Sequence, residues 1–412
     1  MINLLRSILS FFWLAPFLYL IINYSVSQKI NLSKDTILYL FITSCISAIV
    51  LLFIWIVEFL KIKKVNSCFT CIDKNDLETL DELLLNINPA NCIRSNETLL
   101  QYAILSQKDA HTIAYLISKD FFIEYNNNPK HNLNYTLFYL ISYYKFIDER
   151  IVSYLLNQGA NPNFVDTTKG FEGLSLLQVS ILRNNLAITN ILLKNGASLD
   201  YYVNDLNLNA IMLAAKYCNE PLIIDILINF GANINDENSQ GYTPILIASE
   251  HNPNPEIIKI LYYFGATLEQ KKIKSSLFKF NNVTPLRLAV INNNIEVITT
   301  LIKLGDDIYF KDSYSLDILF VACSHNPNLE VIKLLLLKGL EISESVDQDG
   351  NSCVMGACYF NKNITVIKYI INKSSNSILN KRNKEGYNAI DYVKINPFLE
   401  QNQKQEIINS LL

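Results

Sequence analysis

The sequence predicts an all-α solenoid of helix-turn-helix units with extended turns, preceded by two transmembrane helices. Three features point there. A motif returns about every 35 residues between Ser67 and Asp391. Within each copy the apolar residues fall at helical spacing. Ahead of the copies, residues 1–64 hold two long apolar stretches. A fixed period in this range means stacked units, each burying its apolar face against its neighbours.

The clearest copy runs from Gly241 through Tyr242, Thr243 and Pro244 to Ala248, and closes on Gly265 and Ala266. Equivalent starts fall at Thr98, Thr136, Ser175, Asn209, Thr243, Thr284, Asp317, Ser352 and Asn388, in steps of 33 to 41 residues. Two residues before each start stand Asn96, Asn134, Gly173, Asn207, Gly241, Asn282, Ser315, Gly350 and Gly386. All but Ser315 are Gly or Asn, which enter the left-handed backbone region at low cost, so a tight turn is expected there. Five residues before a start come Asn204, Asn238, Asp312, Asp347 and Asn383, side chains able to bond their own backbone in a turn. After each start, Leu, Ile and Ala at helical spacing predict a short buried helix. A second helix follows a polar turn. In one copy Asn254 is placed to cap it, Pro255 to open it and Glu256 to complement its positive end. Gly159, Gly196, Gly231, Gly265, Gly305 and Gly339 are placed to end it.

Turn, helix, turn, helix and glycine at this period resemble the ankyrin repeat, over about residues 65–412 and nine to ten copies. A tetratricopeptide array fits worse, because it lacks a recurrent Gly-Ala followed by an extended turn. The sequence departs from the family's Thr-Pro-Leu-His pattern. The His position holds Gln101, Tyr139, Gln178, Met212, Leu246, Arg287, Phe320, Met355 and Asp391. The polar network between repeats is therefore expected to be weaker or replaced by apolar packing, giving a soft array.

Residues 1–64 are expected to anchor the chain in a membrane. Ile37 to Val57 is 21 residues without a charge, long enough for a hydrocarbon core of about 30 Å. Residues 4–22 are apolar apart from Arg6. Lys61, Lys63 and Lys64 follow the second stretch and place the repeats on the cytoplasmic side. A cleaved signal peptide ending near Ser25-Val26-Ser27 is the rival for the first stretch, which would leave one span instead of two.

The net charge is −3; residues 1–64 carry six basic against two acidic residues, +4, which leaves about −7 on the repeats. No nucleic-acid partner is expected, since that needs a basic stripe. Eight cysteines occur, and Cys68 and Cys71 form a lone C-x-x-C without a second pair, read as buried positions of a capping repeat. Scattered cysteines fit a reducing compartment. His251 and His325 share one register two repeats apart, too far for a common metal. No nucleophile elbow, phosphate loop or His-Glu-x-x-His helix is present. No catalysis, cofactor, metal or small-molecule substrate is expected.

What remains is recognition. The ankyrin resemblance implies protein partners on the concave side, formed by turn tips and first helices. Three repeats are longer than the family period, with extra residues at 126–134, 166–173 and 269–282. The third carries Lys271, Lys272, Lys274, Phe278, Lys279 and Phe280, the candidate partner-binding residues on an acidic array. The expected function is a non-enzymatic scaffold or adaptor tethered to a membrane, its array in the cytoplasm. The alternatives are a secreted bacterial effector inserting in a host membrane, and a regulatory subunit of a channel or transporter.

Overall fold

A computed structural model describes residues 34–412 apart from short segments at 86, 88–91, 95–96, 107, 109, 120–132, 144–146, 166–172, 202–206, 274–281, 293–294, 313 and 343–344. Two compact units divide between Asn132 and Leu133.

In the first unit, Lys34 to Lys74 contains neither Gly nor Pro, and it forms one helix of 41 residues, α1 (Lys34–Lys74). Asn75 ends it in the left-handed region at φ 56°. Asp76 then starts α2 (Leu77–Leu84), its side chain accepting from the Thr79 N–H at 3.1 Å. Strands β1 (Ile93–Arg94) and β2 (Glu97–Thr98) pair antiparallel and lead into α3 (Leu99–Leu105) and α4 (Ala110–Ser118). The last turns of α1 pack on α2, α3 and β1, burying Cys68, Phe69 and Ile72 with Leu80, Leu99 and Leu100.

Residues 64 and 65 both lie within α1, whose last turns carry Cys68 and Cys71 as buried residues and pack on α2. The expected span 4–22 lies outside the described residues. The expected span 37–57 is helical in backbone, with residues 37–41, 43–45 and 48 outside the described side chains. Among the described residues no helix is long and apolar enough to cross a membrane. The expectation of two transmembrane helices is therefore not supported among the described residues, and the first of them lies outside those residues.

The second unit is a succession of helix pairs: α5 (Leu133–Tyr143) with α6 (Glu149–Asn157), α7 (Leu176–Leu182) with α8 (Leu186–Lys194), α9 (Ala210–Tyr217) with α10 (Pro221–Asn229), and α11 (Pro244–His251) with α12 (Pro255–Tyr263). After the hairpin β3 (Lys271–Lys272) and β4 (Asn282–Val283) come α13 (Pro285–Asn292) with α14 (Ile295–Leu304), α15 (Ile318–His325) with α16 (Leu329–Leu337), and α17 (Cys353–Phe360) with α18 (Ile364–Lys373). The short α19 (Asn376–Leu379) precedes α20 (Ala389–Ile395) and α21 (Gln401–Leu411). First helices stack on first helices and second on second. The core is the continuous seam between them, with residues such as Ile245, Ile257, Leu261, Leu286, Val297 and Leu301 fully buried.

The repeat starts from Ser175 onward are N-caps, whereas Thr136 lies inside α5 and Thr98 in β2. Ser175, Asn209, Asp317, Ser352 and Asn388 accept from the backbone N–H three residues on, while Thr243 caps without a side-chain bond and hands over to Pro244. The turn before them forms as expected. One carboxyl or amide oxygen of Asn238, Asp312, Asp347 and Asn383 accepts from the N–H groups two and four residues on, at 2.7–3.0 Å. The glycines that end the second helices all have positive φ, for example 98° at Gly265. Two expected turn positions differ: Asn134 lies in α5 and Asn282 in β4.

The array is more polar between repeats than expected. The residue that follows a first helix is a buried asparagine at Asn252, Asn326, Asn361 and Asn396. Its amide donates back to carbonyls of the preceding repeat: Asn252 to Ala215 (2.9 Å) and Cys218 (2.8 Å), Asn326 to Val290 (2.7 Å), Asn361 to Cys323 (2.8 Å) and Asn326 (2.9 Å), Asn396 to Cys358 (2.9 Å) and Asn361 (3.2 Å). Its oxygen accepts from the N–H two residues on, as from Asn254 at 2.9 Å. Cys218 fills the same position and donates its thiol to the Ile181 carbonyl at 3.3 Å. Two residues at the His position reach forward: Gln178 to the Tyr201 carbonyl (2.7 Å), and Arg287 to the Leu316 carbonyl (2.9 Å) and the Asp312 carboxylate (2.8 Å). Met212, Leu246, Phe320 and Met355 pack as apolar core, the part of the expectation that holds.

Candidate interaction surface

In six repeats the first helix ends on a residue that is exposed or, at His325, half-buried. These six side chains share one register. Tyr143, Tyr217, His251, His325, Phe360 and Ile395 occupy that position. Tyr143, Tyr217, Phe360 and Ile395 are 42–58% exposed, unusually open for large apolar groups on helices otherwise buried. The Lys216 ammonium lies 5.1 Å from the centre of the Tyr217 ring.

Toward the end of the array the row widens into an aromatic run. The ring of His325 meets Phe360 at 5.0 Å, Phe360 meets Tyr359 at 4.4 Å, Tyr359 meets Tyr392 at 5.4 Å, and Tyr392 meets Tyr387 at 6.0 Å. Tyr387 belongs to the turn before α20, so turn tip and first helices contribute to one patch. The patch is held from below. The Tyr392 hydroxyl donates to the Asn351 side-chain oxygen at 2.9 Å, and the Asn383 amide donates to both Asn351 (2.9 Å) and Tyr392 (3.0 Å). Rigid, half-exposed aromatic groups on a fixed scaffold bind partners at low entropic cost.

The histidines of the row are held neutral. Burial pushes His251 and His325 down to about 4, helped by the charge of Lys216 at the first and of Arg287 at the second. Among the described residues no group of three or more His, Cys, Asp or Glu could hold a metal ion.

Of the residues singled out from sequence, Lys271 and Lys272 form β3, where Lys271 faces Val283 and Lys272 faces Asn282. Lys271 is paired with Glu237 at 2.9 Å and is not a free cation. Ile273 turns inward and packs with Leu246, Val283, Leu288 and Tyr242, so the insertion is anchored at its base. Gly241 is required there: a Cβ on it would stand 2.6 Å from the Lys272 carbonyl oxygen. Lys274, Phe278, Lys279 and Phe280 lie outside the described residues. The row at the helix ends was missed because its members differ in type; their shared place before Cys218, Asn252, Asn326, Asn361 and Asn396 was the available signal.

A family profile described as ankyrin repeats (3 copies) matches residues 137–238, 177–272 and 211–312. The ankyrin repeat protein FPV031 of fowlpox virus is 27% identical over 258 residues, 61% of this chain and 73% of that protein. The palmitoyltransferase AKR1 of Lachancea kluyveri is 30% identical over 135 residues, 32% of this chain but only 17% of that enzyme. Among solved structures, the ankyrin repeat domain of human ASB11 is 19% identical with a TM-score of 0.46, covering 57% of this chain and 98% of that one. The profile match and the turn-helix-turn-helix-glycine geometry show that residues 137–312 carry ankyrin repeats, within an all-α solenoid.

Proposed function

We propose that the chain is a non-enzymatic scaffold that holds a protein partner at the cytoplasmic face of a membrane. Ankyrin repeats support the interaction module itself. The row ending in the Phe360, Tyr359, Tyr392 and Tyr387 patch is the surface assigned to that partner. Lys272, with Lys274, Phe278, Lys279 and Phe280 beyond it, is a second contact proposed on sequence grounds.

The observation that carries the tether is the first part of α1. Ile49, Val50, Leu51, Leu52, Phe53 and Ile54 are consecutive and each about half exposed or more, so apolar side chains point outward around the whole helix. A helix apolar all round needs a covering, and a bilayer supplies one. Lys61, Lys63 and Lys64 follow immediately and are exposed, as expected for the cytoplasmic end of a span. Tethering would raise the partner's local concentration without any further contact.

The test is alkaline carbonate extraction of membranes from cells expressing the full chain, beside a variant with Ile49, Leu52 and Phe53 changed to Lys. The full chain should stay with the membrane and the variant should be released. Release of the unaltered chain would refute the tether and leave the repeat array untouched.

A further inference from the structure

Between its outward apolar part and its buried end, α1 carries three lysines in four residues. Lys61, Lys63 and Lys64 are all exposed. At about 100° per residue, Lys63 and Lys64 stand about 200° and 300° around the helix axis from Lys61. The three ammonium groups therefore encircle α1 and do not share one face. Among the described residues none of them is paired with a carboxylate. Glu58, one turn earlier, is the one acidic residue between Ile37 and Lys64, so three basic against one acidic residue leave +2 on residues 58–64.

This girdle differs from the charged face of a surface helix, which has its apolar groups on the opposite side. Phe59, Leu60 and Ile62 are exposed among the lysines. The Trp55 and Phe59 rings stack at 5.6 Å just before them. Beyond the girdle, Cys68, Phe69 and Ile72 are buried as α1 packs on α2, α3 and β1. Aromatic rings followed by lysines around a helix apolar on all sides match the boundary between a bilayer and water.

We propose that Lys61, Lys63 and Lys64 bind the head groups of anionic phospholipids in the leaflet from which α1 emerges. The inference rests on the membrane tether proposed above and names the lipid class that the tether selects. Pointing in three directions, the ammonium groups reach different lipids, and their long stems can lie along Phe59, Leu60 and Ile62 while the charge stays among the head groups. Charge complementarity assigns the occupant: an unpaired positive ring at the surface attracts anionic lipid within about a Debye length. The repeats, at about −7, offer no comparable attraction.

The experiment uses the purified full chain carrying Trp13→Phe, which leaves Trp55 as the one tryptophan, reconstituted in phosphatidylcholine vesicles. Trp55 lies six to nine residues before the lysines, about 9–14 Å along the helix, so the acyl chains of lipids held by the lysines lie beside it. Part of the lipid is replaced, at equal mole fraction, by phosphatidylserine or phosphatidylcholine brominated on its acyl chains, and quenching of Trp55 fluorescence is read. Brominated phosphatidylserine should be preferred about fivefold. The preference should fall toward one at about 0.5 M salt. It should also vanish in the combined Lys61→Gln, Lys63→Gln and Lys64→Gln variant and persist when the same three are changed to Arg. Equal quenching by the two lipids, or a preference unchanged in the glutamine variant, would overturn the inference and leave the tether standing. Quenching by neither lipid would remove the tether and the inference with it.

Discussion

Asp306 makes the stability of one repeat depend on pH in a direction opposite to that of most carboxylates. It follows Gly305, where other repeats place Ala160, Ala197, Ala232 and Ala266. It is 5% exposed, and one carboxyl oxygen accepts from the Leu286 N–H at 2.7 Å. Burial pushes its carboxyl up to about 7, from an ordinary 3.8. A folded value above the unfolded one means the contribution is fully present below about pH 4 and is lost as pH rises through about 7. A rise of about three units corresponds to about 4 kcal/mol lost by pH 8. Asp306→Asn keeps the acceptor and removes the charge. It should therefore stabilise the repeat, and the gap between variant and wild type should widen by about 3 kcal/mol between about pH 5 and pH 8. The assay is native-state hydrogen exchange of peptides from α13 and α14, each protein compared at the same pH so that intrinsic rates cancel. A gap that does not change with pH would refute the reasoning.

Three further outcomes follow. Asn361→Ala strips two buried carbonyls of the preceding repeat and one N–H of their partner. It should cost about 3 kcal/mol in urea unfolding, whereas Asn254→Ala, which removes the cap of α12 and one bond to the Asn219 carbonyl, should cost about 1 kcal/mol. Arg287→Met alone strands the buried Asp312 and should cost about 3 kcal/mol or more, but adding Asp312→Asn should recover most of it. Met212 with Met355, and Asn238 with Asn383, already occupy the two equivalent positions. His325, held down at about 4 by burial and then by Arg287, contributes stability above about pH 6.5 that is lost as pH falls through about 4. His325→Phe, matching Phe360 in the next repeat, should remove about 3 kcal/mol of that acid sensitivity in the same unfolding assay.

The fold was legible because its signals are local and repeated. A glycine that must take positive φ, an Asn or Asp that must close a turn, and a cap three residues before its donor each specify their own few residues, as at Gly265, Asn238 and Ser175. The surface was less legible. The ladder asparagines look like ordinary turn residues, and only packing reveals that Asn252 and Asn361 reach into the preceding repeat. Likewise Arg287 reads as a surface cation until its partner 25 residues away is placed against it. The insertion drew attention by its charge, yet Lys271, one of its two described lysines, is paired with Glu237 and its first apolar residue, Ile273, is buried. Composition marks a loop as unusual, and contacts decide which of its residues are available.

The most direct test of the scaffold reading is site-specific photocrosslinking in cells from the full chain. A photoreactive amino acid replaces Tyr217, Phe360 or Tyr387 on the proposed surface, and Tyr263 or Leu337 at the exposed ends of second helices (83% and 85% exposed). The account predicts one discrete protein adduct shared by the first three positions and absent from the last two. Equal adducts from both sets, or an adduct only from Tyr263 and Leu337, would contradict it.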